Sequence, residues 1–171
     1  LEIIDEENIK TYKPTTYKKI PVWLGEPTII SANHFKIELE RNFNENILLS
    51  GIYKDVSINA LYNIFNSLIY AFAPGEIAIR IFSFLDNEEN TELNFPLLDK
   101  ISNYFDYKFI ENSDFKSELE AINQELIERQ RTNNIHSKRV FNFFIGLEKA
   151  RELYKEDSYS TSKYGDIMKN I

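Results

Sequence analysis

Gly51-Ile52-Tyr53-Lys54-Asp55-Val56-Ser57-Ile58 is where residue type and spacing in this chain come nearest to chemistry. An apolar run, Ile47-Leu48-Leu49, ends at Ser50-Gly51, and an amphipathic helical pattern begins a few residues later. Strand, Gly-led loop and helix in that order make a phosphate-binding loop when the consensus G-x-x-x-x-G-K-[ST] is complete. Counted from Gly51, the second Gly is Val56, the Lys is Ser57 and the Ser/Thr is Ile58. The loop works by aiming successive backbone N–H groups and a helix N-terminus at an anion. A β-branched Val resists the backbone geometry that Gly allows. Ser57 carries no charge for the β- and γ-phosphates, and Ile58 has no hydroxyl for Mg²⁺. Lys54 stands three residues early, on loop backbone that aims it elsewhere, and does not substitute. The spacing of a phosphate loop is present without its chemistry. The same residues also read as an ordinary strand-to-helix turn.

Other residues invite chemistry less. His34 and His136 are the only histidines, and with no cysteine a zinc site would need both plus carboxylates. Asp86, Glu88 and Glu89 read as a solvated acidic turn rather than a cation site. Ser50, Ser57 and Ser83 lack the G-x-S-x-G elbow of a hydrolase nucleophile. Arg129 and Arg131 are candidates for phosphate sensing, set against ordinary helical pairs such as Glu125–Arg129. Trp23, beside Gly25 and Pro27, reads as a packing residue at a domain edge.

The chain must be large enough to hold such groups in place, and 171 residues suffice for one domain with a sizeable core. Thirteen Phe and ten Tyr supply bulky core material. A net charge of −7 argues against a duplex-binding surface, which needs a basic patch. The absence of cysteine excludes disulfides and thiolate sites and fits a cytoplasmic location. No apolar run approaches the ~18 residues of a membrane span. The N-terminus lacks the basic-then-apolar layout of a signal peptide.

Residues 1–19 are polar and read as a linker or extended arm. Residues 20–171 read as one domain, with short β segments at its start: Ile20 to Pro27 as an edge strand and turn, and Phe35 to Glu40 as a half-exposed strand of period two. From Ile47 the rhythm is strand, helix, strand, helix. Ile47-Leu48-Leu49 reads as a strand covered on both faces. Val56, Leu61, Phe65, Leu68 and Phe72 recur at helical spacing, and Pro74-Gly75 closes that helix. Ile77 to Leu85 is a second buried strand, followed by an acidic loop at residues 86–90. Pro96 opens a helix to about Phe105, and Tyr107 to Ile110 is a short strand. Ser113 or Asp114 caps a long helix with Phe115, Leu119, Ile122 and Leu126 on its buried stripe. Glu118, Glu120, Glu125, Glu128 and Arg129 face water. Val140 to Ile145 is the third strong strand, and Thr161 to Ile171 a helix. This alternation implies an α/β fold, a mostly parallel sheet with helices on both faces.

Three segments, in register with one another, carry a family resemblance. Ser67-Leu68-Ile69-Tyr70 stands at a fixed distance after the incomplete loop. Glu128-Arg129-Gln130-Arg131 ends the long acidic helix. Phe143-Phe144-Ile145 is an apolar strand that runs into Gly146-Leu147. Together they resemble the FtsK/SpoIIIE family of DNA-translocase ATPases over residues 20–171. There the corresponding segments are a Ser-Leu-Leu-Tyr-like helix end, a Glu-Arg-Arg-like segment and a Walker B strand ending in Asp-Glu. Val22 to Pro27 is similar to the short β entry segment of that ATPase core. The resemblance implies a P-loop NTPase-like fold, with ATP and Mg²⁺ as the family's cofactors and DNA as its track. Gly146 and Leu147 replace the Walker B carboxylates, and Ser83-Phe84-Leu85-Asp86 does not reproduce the Asp-Pro-Lys that the family carries after its second strand.

Losing the loop cation and the Walker B acids together removes both halves of the metal–phosphate clamp. A single electrostatic donor is commonly worth about 3–4 kcal/mol of transition-state stabilisation, so turnover is expected to be negligible. The expectation is a catalytically degenerate domain that needs no cofactor of its own. Its partners would be other domains of a larger protein or a separate protein, with DNA engaged only through the complete protein. The missing initiator Met, and a stop before the family's remaining sheet elements, fit an excised piece truncated at its C-terminus. Two alternatives stand beside this: a nucleotide-binding motor domain with unorthodox site residues, and an unrelated α/β interaction domain.

Overall fold

The computed structural model describes residues 19–25, 35–40, 47–50, 54–92, 102, 105–132, 138–153 and 162–170. The chain divides into two compact units, residues 1–74 and 75–171.

In the first unit, β1 (Lys19–Gly25) and β2 (Phe35–Glu40) form an antiparallel pair, with Pro21 opposite Glu38 and an irregularity between Trp23 and Gly25. Period-two alternation turns Ile20 and Val22 of β1 inward, and both are buried. Helix α1 (Lys54–Ala71) packs on β1. Its apolar residues Ile64, Phe65, Leu68 and Ile69 recur at helical spacing and are buried. The Asn63 side-chain amide donates to the Leu24 carbonyl at 3.1 Å, tying helix to strand.

Ile47–Ser50 correct one expectation: they carry no regular structure, and Leu48 is 82% exposed. A strand covered on both faces belongs at the centre of a parallel sheet. That place is held by β3 (Ile77–Ser83), whose two edges pair with β4 (Asp106–Glu111) and β5 (Arg139–Ile145).

The second unit is built on that three-stranded parallel sheet, ordered β4-β3-β5. Ile77, Ile79 and Ile81 on one face of β3 are fully buried, and so is Phe82 on the other. Helix α2 (Asn87–Glu92) follows β3, α3 (Phe115–Thr132) joins β4 to β5, and α4 (Lys163–Asn170) comes last. Phe115, Leu119 and Ile122 of α3 form its core with Phe82, Ile110 and Ile167, and Leu126 packs against it partly buried, in agreement with the stripe read from sequence. Ser162 caps α4 by accepting the Gly165 N–H at 2.9 Å. No helix among the described residues is long and apolar enough to cross a membrane. The linker expected at residues 1–19, apart from Lys19 which opens β1, and the helix expected from Pro96 fall almost wholly outside the described residues.

Candidate site at the tips of β3 and β5

Going from β3 to β4 the chain moves to one side, and through α3 it returns to the other side of β3. In open α/β sheets, such a reversal leaves a crevice at the carboxyl ends of the two diverging strands, where ligands commonly bind. Here those ends are Ser83 to Asp86 and Ile145 to Lys149, so Gly146 and Leu147, the positions expected to correspond to Walker B, lie at the reversal.

The floor beneath the tips is aromatic. Phe82 and Phe144 stack with centroids 4.7 Å apart, and Phe115 meets Phe84 edge-on at 4.8 Å. The Phe84 N–H donates to the Ile145 carbonyl at 3.0 Å, so backbone pairing runs one residue past β3. Above it, the buried Ser83 hydroxyl donates to Asn90 Oδ1 at 2.6 Å and accepts the Leu85 N–H at 3.4 Å. The Asn90 amide donates to the Leu85 carbonyl at 3.3 Å.

The residues expected to form an acidic loop instead start α2. The Glu89 N–H donates to Asp86 Oδ1 at 2.9 Å, and the Asp86 N–H donates to Glu89 Oε2 at 3.1 Å. This reciprocal D-x-x-E pattern satisfies N–H groups that a helix start leaves open. Glu89 also receives Lys149 Nζ on both carboxylate oxygens, at 2.6 and 2.5 Å, from 60 residues away. The Lys149 hydrogen bond and then the Asp86 N–H hold the Glu89 carboxyl below its ordinary pKa, and the same bond raises Lys149.

Gly146 has φ 72° and ψ 35°, a left-handed conformation, and precedes a 3-10 turn at Leu147–Lys149. A Cβ built there would stand 2.7 Å from Leu85 Cδ2. The side chain of Leu85 occupies the space that a residue other than Gly would need. The strand tips are thus closed by the chain's own groups: Leu85 against Gly146, Ser83 on Asn90, and Lys149 on Glu89.

The positions expected to correspond to a phosphate loop belong to the first unit. Gly51 lies outside the described residues. Lys54 is the first residue of α1, which corrects its expected place in a loop; Val56, Ser57 and Ile58 follow within the helix. The helical pattern simply extends further toward the N-terminus than its apolar residues reveal. His34 and His136 fall outside the described residues.

Arg129 and Arg131 are both engaged by carboxylates. Arg131 grips Glu128 through Nε at 2.9 Å and a terminal nitrogen at 2.7 Å. Arg129 bonds Glu125, whose other oxygen accepts from Arg80 at 2.9 Å. The expectation that Glu125 and Arg129 simply face water is corrected, because Arg80 on β3 draws them onto the sheet. Burial pushes the Glu125 carboxyl up, but hydrogen bonding and charge from Arg80, then from Arg129, leave it below its ordinary value. Sequence reading missed Arg80, Asn90 and Lys149; only the Asp86-x-x-Glu89 spacing carried a local signal of the cluster. Comparison with protein-family models, with curated proteins and with solved structures returned no match.

Proposed function

We propose that the chain is a catalytically degenerate FtsK/SpoIIIE-like domain of P-loop type that acts as a structural, regulatory or partner-binding module of a larger protein. The observation that supports this most is the packing of Leu85 against Gly146. A carboxylate at that position would have to displace Leu85 and accept a left-handed backbone, so the position is remodelled as well as substituted. The capped start of α2 and the Lys149–Glu89 pair commit nearby polar groups to each other rather than to a ligand. On this reading ATP and Mg²⁺ are the family's ligands and not this domain's. DNA is met only through the complete protein, whose working place is the cytoplasm.

Two measurements on the whole chain test the reading: calorimetry with a non-hydrolysable ATP analogue plus Mg²⁺, and Mg-dependent ATP hydrolysis. The expected result is neither binding nor turnover above buffer. Saturable analogue binding, or hydrolysis lost on substituting Gly51, would overturn it.

A further inference from the structure

Arg80 and Arg129 share one carboxylate. Arg131 with Glu128, Lys108 with Glu118 and Lys149 with Glu89 each join one base to one acid. Glu125 instead faces two guanidiniums, one on each oxygen. The side chains of Arg80 and Arg129 are only 23% and 24% exposed, so water screens the surplus positive charge poorly. Each guanidinium directs one terminal nitrogen at Glu125, and among the described residues most of its five N–H donors meet no other acceptor. Next to Arg80 in the sheet register stands Asn142 of β5, on the same face, with a buried Oδ1 that has no hydrogen-bond partner among the described residues. In a chain of net charge −7, a half-buried cationic surplus beside an unsatisfied acceptor calls for a group that brings both negative charge and a proton.

We infer that Arg80, Arg129 and Asn142 form a phosphate subsite. The oxyanion lies across the outer N–H groups of the two arginines, in the fork geometry that guanidinium offers to phosphate. A P–OH donates to Asn142 once the amide turns toward it. A carboxylate supplies acceptors only, which is why phosphate is preferred. The subsite is distinct from the strand tips: Phe115 of α3 packs there, and Glu125 follows ten residues later along the helix, about 15 Å at the usual rise. It does not depend on whether the tips bind nucleotide.

The test uses the full ¹⁵N-labelled chain and follows the Nε–H resonances of Arg80 and Arg129 at constant ionic strength. Inorganic phosphate, phosphoserine and acetate are titrated separately at about pH 5.5, below the second phosphate pKa, where both phosphates keep a P–OH and acetate is ionised. Saturable shifts with phosphate, with an apparent Kd on the order of 1 mM, support the subsite; phosphoserine binding as tightly identifies a phosphate monoester as the source, and weaker binding identifies free phosphate. Arg129→Gln is expected to weaken phosphate about tenfold, with Arg131→Gln unchanged. The inference is overturned if acetate matches phosphate, if no shift saturates beyond a chloride control, or if Arg131→Gln weakens binding as much as Arg129→Gln. Amide spectra establish that each variant is folded, and the acetate arm decides on the unaltered chain.

Discussion

Leu85 and Gly146 fit together as side chain and vacancy: Leu85 Cδ2 stands 2.7 Å from where a Cβ on residue 146 would be. This contact bridges the segments that follow β3 and β5, and closes the reversal of strand order with hydrocarbon. The only residue type that avoids both the contact and the left-handed strain is the one present.

Gly146→Asp, which places an acid where the proposed family resemblance would put one, is therefore expected to destabilise the fold by about 1–3 kcal/mol. No Mg-dependent ATPase activity should appear. Gly146→Ala should lose a comparable amount, because strain and contact do not depend on charge. Urea denaturation of both variants checks this, and a neutral Gly146→Ala would show that Leu85 yields freely.

The Lys149–Glu89 pair gives a pH dependence of definite sign. The carboxyl of Glu89 is depressed in the folded state, so its contribution is present above the ordinary carboxylate pKa and is lost as pH falls through the folded value. Lys149 is held above its own ordinary value and stays charged across that range. The melting-temperature gap between the native chain and Lys149→Met should be visible at neutral pH and close as the pH falls below the ordinary carboxylate range. Added salt should narrow it as well, since the pair is open to water. A gap that persists at the acid end would assign the effect to packing of the lysine stem.

Ser83→Ala removes the buried donor to Asn90 Oδ1 and the acceptor of the Leu85 N–H. The expected loss is about 1–2 kcal/mol, larger than for an exposed serine because the amide is left unpaired. In a double-mutant cycle with Asn90→Ala, the two losses should fall short of additive. Full additivity would mean that the hydroxyl and the amide act independently.

Leu119 is fully buried among Phe82, Phe115 and Ile122. Leu119→Ala should cost about 2–5 kcal/mol from lost burial and the cavity left behind. Ala121, exposed on the same helix, tolerates polar substitution within about 0.5 kcal/mol. Comparable losses at the two positions, read from chemical denaturation, would place the buried face of α3 elsewhere.

What this sequence determined by itself is what local pattern can encode. Apolar runs with β-branched and aromatic residues specified β3 and β5. Period-two alternation specified β2, and the spacing of Phe115, Leu119 and Ile122 specified the buried stripe of α3. Each depends on which side chains share a face, and that follows from residue order alone. The tertiary structure decided where these elements lie beside one another. Ile47-Leu48-Leu49 is as apolar as a central strand, yet β3 holds the central place, because strand order is set by pairing between distant segments that composition does not name. The Asp86-x-x-Glu89 spacing could have identified the start of α2, but the partner of Glu89 lies 60 residues on. Arg80 meets Glu125 from 45 residues away, turning an apparently solvated helix face into a charged seam against the sheet. Gly146 shows the same division: its type is plain in the chain, while the reason for it, a left-handed turn against Leu85, arises only once β3 and β5 lie side by side.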